Sequence, residues 1–142
     1  MRRSTRNLAA FMLALLLSLG CGGDSGPATV PVTGKITQAG QPVANALVVF
    51  HPQDTASTVR ASQAETDDQG AYSLSTYLGD DEYKPGIEPG EYLISVMKLE
   101  VVQDMRTQPK NLLPKKYSLP AKSGLSASVT ADGENTFDFE IE

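Results

Sequence analysis

Apolar and polar residues alternate along most of the chain beyond residue 30, and this period-two pattern limits the fold more than any other feature. Val32, Gly34 and Ile36 fall on one side of such a run, whereas Thr33 and Lys35 fall on the other. Successive side chains of a β-strand point to opposite faces, so the pattern predicts strands with one buried face. A helical period is confined to the first twenty residues. We therefore expect an all-β domain and exclude helical bundles and Rossmann folds.

Turn-forming residues separate the predicted strands. Two of the turns, DDQG and DGEN, predict hairpins that join residues 61–66 to 71–76 and residues 125–129 to 137–141. Glycine takes the positive φ that tight hairpin turns require, and aspartate favours turns. The pattern contains seven short strands, which is typical of a Greek-key β-sandwich. We expect that sandwich to occupy residues 30–142 as one domain.

The N-terminal residues have the composition of an export signal. Residues 1–6 contain three arginines, and residues 8–19 carry no charge. A helix needs about 20 apolar residues to cross a bilayer, so this shorter run predicts a cleavable signal peptide over residues 1–20. The run ends at Gly20-Cys21, which resembles a bacterial lipobox, and Cys21 is the single cysteine. The resemblance implies that Cys21 receives a diacylglycerol and becomes the new N-terminus; an ordinary leader with an incidental cysteine is the alternative.

The residues after Cys21 predict a tether and a location. Residues 21–29 are small, polar and glycine-rich, so we expect a flexible linker. Acyl chains on Cys21 hold a protein permanently at a membrane. Gly22 stands where aspartate favours retention at the inner membrane, so we expect an outer-membrane location, facing the periplasm or the cell surface. The net charge of −5 argues against a nucleic-acid partner.

Five motifs, in order along the chain, resemble the carboxypeptidase-regulatory-like or transthyretin-like β-sandwich modules of bacterial envelope lipoproteins. They read VTGKI (32–36), GQPVANA (40–46), VVF (48–50), TDDQGAYSL (66–74) and PGEY (89–92). The resemblance implies a seven-stranded Greek-key β-sandwich of the Ig-like prealbumin type. It also implies a non-catalytic module with a structural or protein-interaction role. A carbohydrate- or peptidoglycan-binding accessory lipoprotein is the alternative.

Few residues suit catalysis or metal binding. His51 is the only histidine, and we expect a strand-end residue near the surface rather than a catalytic base. The acidic groups at 67–68 and 80–82 lack the alternating spacing of a calcium loop, so we expect solvated turns. No set of nucleophile, base and orienting group is evident. We therefore predict no catalytic residues, no metal, no cofactor and no enzymatic activity.

The long connection 100–123 concentrates positive charge. Its basic residues are Arg106, Lys110, Lys115, Lys116 and Lys122. A local excess of positive charge predicts a site for an anionic partner, either an envelope protein or a polysaccharide. A charge run has low specificity, however, so a solvated loop pinned by Leu112, Leu113 and Tyr117 is the favoured interpretation.

The carbohydrate-binding alternative depends on exposed aromatic rings. The candidate residues are Tyr72, Tyr77, Tyr83 and Tyr117, because the sequence has no tryptophan. Aromatic rings stack on the apolar faces of pyranose sugars. Tyrosines near strand ends often bury the ring and expose only the hydroxyl group, so each of the four has a purely structural interpretation as well.

Overall fold

The computed structural model describes residues 26–55, 58–104 and 106–142. Within them, ten strands form two sheets, and helical structure is limited to a 3₁₀ turn, Lys115–Ser118, and the four-residue helix α1, Pro120–Ser123. The strands are β1 Thr33–Gln38, β2 Gln41–Pro42, β3 Leu47–Pro52, β4 Ser62–Glu65, β5 Ala71–Ser73, β6 Ser75–Gly79, β7 Glu82–Pro85, β8 Gly90–Met97, β9 Ser126–Val129 and β10 Phe139–Ile141. The prediction of an all-β domain is confirmed. Cys21 and the leader lie outside the described residues.

The four-stranded sheet contains β1, β2, β5 and β10, with β1 pairing with each of the other three. The six-stranded sheet has the order β7-β6-β4-β3-β8-β9. The core lies between the sheets and is built by the predicted alternation, with Ile36, Val48 and Ile94 fully buried. Phe50 lies near its centre, with ring centroids 5.9 to 6.4 Å from those of four other aromatic residues: Tyr72, Tyr92, Phe137 and Phe139.

The first predicted hairpin forms only in part. Strands β4 and β6 pair in antiparallel register, and the Asp67 carboxylate closes the turn by accepting hydrogen bonds from the N–H groups of Gln69 and Ala71. The second arm is divided, however, because β5 pairs with β1 in the other sheet. The buried Tyr72 accounts for this division: its hydroxyl donates to the Phe137 carbonyl at 2.7 Å and holds β5 against the four-stranded sheet.

The prediction of the second hairpin is wrong. Strand β9 pairs with β8 in the six-stranded sheet, whereas β10 pairs with β1, in parallel, in the other sheet. Asn135 explains the crossing between sheets. Its buried side chain accepts a hydrogen bond from the Thr130 N–H and donates to the carbonyls of Thr130 and Gly133. Its own carbonyl accepts from Thr33 of β1, so the connection is fixed as a loop between sheets.

One row of paired residues crosses the six-stranded sheet and defines its two ends. The row consists of Ile94, Phe50, Ser62, Thr76 and Lys84, each paired with the next. Neighbouring strands along this row are antiparallel, so β6 runs opposite to β8. From the row, β8 continues toward Met97, whereas β6 continues toward Gly79 at the opposite end. The β6–β7 hairpin and the residues that follow β8 therefore lie at opposite ends of the sheet.

The segment 26–30 lies along β7, the edge strand of the six-stranded sheet. The N–H groups and carbonyls of Val30 and Ile87 exchange hydrogen bonds of 2.8 and 3.0 Å. The Thr29 hydroxyl donates to the Pro85 carbonyl, and Lys84 Nζ donates to the Pro27 carbonyl at 2.8 Å. These bonds fix residues 27–30 of the chain on the domain, and they cover an edge that would otherwise offer unpaired backbone groups.

Candidate functional site

Beyond β8 the chain leaves the sandwich as a ribbon, residues 98–104 and 106–112, whose two arms pair through residues 98–100 and 110–112. The Leu112 N–H donates to the Lys98 carbonyl at 2.7 Å, and the Glu100 N–H donates to the Lys110 carbonyl at 2.8 Å. Asn111 stabilises the base of the ribbon, because its side-chain oxygen accepts hydrogen bonds from the N–H groups of Lys98 and Leu113. The sequence alone predicted a loop here, so the pairing across 98–112 is a feature that only the structure provides.

After the ribbon the chain is anchored to the sandwich. Leu113 and Tyr117 are buried, as expected, whereas Leu112 is 57% exposed. The Tyr117 hydroxyl accepts a hydrogen bond from the Glu142 N–H at 2.9 Å, which links the 3₁₀ turn to the chain end beyond β10. The connection 100–123 is thus a projecting ribbon followed by a fixed segment.

The five basic residues named from the sequence are all exposed but are distributed over three elements. Arg106 and Lys110 lie on the ribbon, Lys115 and Lys116 on the 3₁₀ turn, and Lys122 on α1. Lys116 has partners of its own: its Nζ lies 3.2 Å from a Glu142 carboxylate oxygen and 4.8 Å from the centre of the Tyr117 ring. Hydrogen bonds to Tyr117 and Glu142 raise the pKa of Lys116.

The ribbon also exposes apolar side chains that the sequence analysis did not single out. Leu99 is 52% exposed and Val101 is 93% exposed. They line an open groove of about 400 Å³ together with Leu47 and Met97, and its polar lining residues are Asn45 and Glu65. The sequence signal for this apolar surface is the run of apolar residues that continues past the polar Lys98. Apolar residues that follow a predicted strand favour burial, however, so the signal did not indicate an exposed surface.

The backbone of the ribbon adds to this surface. The Lys98 carbonyl and the Glu100 N–H point toward the backbone of residues 110–112. Because these groups alternate in direction along a strand, those of Leu99 and Val101 point away from the second strand of the ribbon. An exposed strand edge beside an apolar groove is the geometry that accepts an added strand from another polypeptide.

At the other end of the sheet, the β6–β7 hairpin exposes two of the four candidate tyrosines. The rings of Tyr77 and Tyr83 lie 5.1 Å apart and are 44% and 54% exposed. Arg60 Nη1 donates to the backbone carbonyls of Tyr77 and Leu78, which fixes the hairpin against the neighbouring segment. Asp80 and its two acidic neighbours, at 81 and 82, form the exposed tip.

The other tyrosines are structural. Tyr72 and Tyr117 are buried, so neither ring can stack on a sugar. Tyr92 is buried as well, and its hydroxyl donates to the Glu88 carbonyl at 2.7 Å. Burial and, to a smaller extent, the Glu88 charge raise the pKa of Tyr92 to about 12. Of the candidate tyrosines, the structure therefore brings only Tyr77 and Tyr83 together at the surface.

His51 lies on β3 and is partly buried. Its Nε2 lies 2.9 Å from the Ser95 hydroxyl on the adjacent strand β8, and burial lowers the pKa of the imidazole. Across residues 26–55, 58–104 and 106–142, no group of three or more His, Cys, Asp or Glu side chains has the arrangement of a metal site. In the same part of the chain, no helix has the length and hydrophobicity needed to cross a bilayer.

Comparisons with known proteins bear on one expectation. No family model and no curated protein matches the chain. A solved structure, the 9R-lipoxygenase from Cyanothece PCC8801, aligns with 79% of this chain and 16% of its own, at 18% identity and a TM-score of 0.38. That protein is an enzyme, whereas we predicted no enzymatic activity, and we withdraw the prediction. At this TM-score the likeness carries no argument about the fold or activity of this chain.

Proposed function

We propose that this protein is a lipid-anchored module of the bacterial cell envelope that binds a partner protein through the 98–112 ribbon. The observation that carries the proposal is the separation of the two ends of the six-stranded sheet. Residues 26–30, which follow the predicted lipidation site Cys21, lie along β7, whereas the ribbon extends beyond β8 at the other end. With about 3.3 Å per residue, Val101 and Gly79 lie roughly 30 Å apart along the strands. A protein anchored through Cys21 thus exposes the ribbon to the surrounding compartment.

The finer features of the module belong to the same proposal. It is a Greek-key sandwich of the transthyretin-like type, located at the outer membrane and facing the periplasm or the cell surface. The motifs that contain Ile36, Phe50 and Tyr72 support this type, since each supplies a buried residue on β1, β3 or β5. Gly22 after the lipidation site supports the location.

The partner segment is an extended polypeptide that carries apolar and acidic side chains. Its backbone pairs with the open edge at Leu99 and Val101, and its apolar side chains fill the groove above Met97. The basic residues of the ribbon, Lys98, Arg106 and Lys110, outnumber its two acidic residues, Glu100 and Asp104. The resulting net positive charge favours acidic residues in that segment. The long-range attraction makes association depend on ionic strength, because exposed charges are screened by salt.

Photo-crosslinking in intact cells tests this function. A photoreactive residue at position 101 is expected to capture one envelope protein, whereas the same residue at position 83 does not. The captured protein is then purified, and its affinity is measured for the wild type and for Arg106→Gln/Lys110→Gln. Lys35→Gln, which removes one positive charge on β1, away from the ribbon, is the control. Equal capture from both positions, or affinities that do not differ, would refute binding through the ribbon.

A carbohydrate- or peptidoglycan-binding accessory lipoprotein is the second candidate, and the Tyr77–Tyr83 pair favours it. Two exposed rings 5.1 Å apart form a surface of the kind that stacks on pyranose sugars. Sedimentation of the protein with insoluble peptidoglycan tests this candidate. If it holds, Tyr77→Ser/Tyr83→Ser releases the protein from the pellet, whereas Leu99→Ser/Val101→Ser does not.

A further inference from the structure

The structure places the start of the described chain beside the β6–β7 hairpin. A Cβ atom added to Gly26 would lie 3.3 Å from Leu78 Cδ1 and 3.6 Å from Lys84 Nζ. Lys84 also holds the next residue, Pro27, through its carbonyl. Gly26 therefore lies against the same hairpin that carries the exposed pair Tyr77 and Tyr83.

Covalent geometry limits how far this hairpin can be from the lipid. Gly26 follows Cys21 by five residues, and five residues span at most about 18 Å when fully extended. With acyl chains on Cys21 inserted in a bilayer, the hairpin is held close to the headgroup region. This step rests on the acylation of Cys21 proposed above.

The chemistry of the hairpin suits a lipid headgroup region. Tyrosine is enriched at membrane–water interfaces, where the ring contacts apolar material and the hydroxyl remains hydrated. Tyr77 and Tyr83 present about half of their surface to solvent, and Leu78 lies beside them, half-buried. We infer that the Tyr77–Tyr83 face docks on the bilayer that anchors Cys21 and thereby orients the domain with its ribbon directed outward.

The charge of the hairpin tip selects the kind of lipid. Asp80, Asp81 and Glu82 are exposed at the tip. The Arg60 guanidinium at the base of the hairpin and the Lys84 ammonium on β7 together compensate only part of their charge. An anionic surface repels this tip, so the docked state requires an electrically neutral, zwitterionic headgroup layer. A polysaccharide is the other ligand that an aromatic pair recognises, and the experiment separates the two.

Hydrogen–deuterium exchange of the mature lipoprotein in vesicles of phosphatidylcholine tests the docking. Relative to the soluble Cys21→Ala protein, the amides of β6 and β7 are expected to exchange about tenfold more slowly in the docked state. Including about 40 mol% phosphatidylglycerol removes that protection, because the anionic surface repels the tip. Tyr77→Ser/Tyr83→Ser also removes it, whereas Leu99→Ser/Val101→Ser, which replaces exposed apolar residues at the other end, preserves it.

A second variant keeps the test independent of the tyrosines. Asp80 and Asp81 both have positive φ, a conformation that asparagine accepts readily, so Asp80→Asn/Asp81→Asn should fold normally. This variant is expected to retain hairpin protection in the anionic vesicles.

The outcomes separate docking from anchoring. If the acylated protein's hairpin amides exchange equally fast in vesicles and in solution, docking is refuted and the lipid anchor is not. Protein without acyl mass on Cys21 refutes both the anchor and the docking. Protection of the hairpin by soluble N-acetylglucosamine oligomers, and not by vesicles, also overturns docking and assigns the tyrosine pair to sugar binding.

Discussion

The two ends of the six-stranded sheet expose different chemistry. The β6–β7 hairpin carries a tyrosine pair above an acidic tip and contacts the N-terminal segment at Gly26. The ribbon at the other end carries aliphatic side chains, an open strand edge and basic residues. Both ends extend from the same row of paired residues through Phe50, so one rigid sheet keeps them apart. A small sandwich can thus separate attachment from recognition without a second domain.

The largest expected effect comes from breaking the sheet that joins the two ends. Phe50 is fully buried among four aromatic rings, and Phe50→Ala leaves a cavity at their centre. We expect the free energy of unfolding, measured by urea denaturation, to fall by about 3–5 kcal/mol. Phe50→Leu retains most of the volume and should cost about half as much or less. If the free energy of unfolding of Phe50→Ala equalled that of the wild type within error, Phe50 would not stabilise the core.

The loop between sheets gives the next largest effect. Asn135 makes three hydrogen bonds through its buried side chain, and its replacement by alanine leaves buried backbone groups unpaired. Asn135→Ala is expected to lower the free energy of unfolding by about 1–3 kcal/mol. The neighbouring, exposed Glu134 serves as the control, since Glu134→Ala should change stability by no more than about 0.5 kcal/mol. If the two variants were equally stable, the Asn135 side chain would not fix the crossing.

Recognition at the ribbon can be removed without altering the fold. Val101 is almost fully exposed, so Val101→Glu should change the free energy of unfolding by less than about 0.5 kcal/mol. The same variant is expected to weaken binding of the crosslinked partner by about tenfold or more, because a charge then lies at the apolar contact. Isothermal titration calorimetry measures this, with Tyr83→Ser at the opposite end as control. A larger loss of affinity for Tyr83→Ser would reverse the assignment of the two ends.

The smallest predicted effect is a pH dependence in the sheet between the two ends. Burial lowers the folded-state pKa of His51, so folding favours the neutral imidazole. The resulting stability is fully present above the unfolded pKa of about 6.5 and is lost as pH falls through the lowered folded value. His51→Gln removes this titration. We expect the wild type to lose more stability than His51→Gln between pH 7 and pH 5, as measured by thermal unfolding. Identical slopes would show that His51 contributes no pH dependence.

Much of the fold follows from local sequence pattern, because burial on one face imposes a two-residue period. Val32 and Ile36, for example, are predicted to be buried by alternation alone and are fully buried in the structure. The partner of a strand depends instead on distant groups. The sequence predicts turns at 67–70 and 132–135. It does not indicate that Tyr72 directs β5, and Asn135 directs β10, to the four-stranded sheet.

For the candidate site, the sequence predicts which charged residues are present but not which apolar residues are exposed. The basic residues of the connection 100–123 are evident from the sequence, and they are exposed as charge requires. The exposure of Leu99 and Val101 was not predictable, because an apolar residue after a strand favours burial unless its surroundings are known. Likewise, four tyrosines were equivalent in the sequence, and only tertiary packing leaves Tyr77 and Tyr83 at the surface.

The orientation of the domain relative to the bilayer decides whether the hairpin serves attachment and the ribbon serves recognition. The measurement is paramagnetic relaxation enhancement of backbone amides in the mature lipoprotein, bound to zwitterionic nanodiscs that contain lipids spin-labelled at the headgroup. We predict strong enhancement at Tyr77 and Tyr83 and little at Leu99 and Val101. Equal enhancement at both ends, or stronger enhancement at the ribbon, would contradict the separation of attachment from recognition.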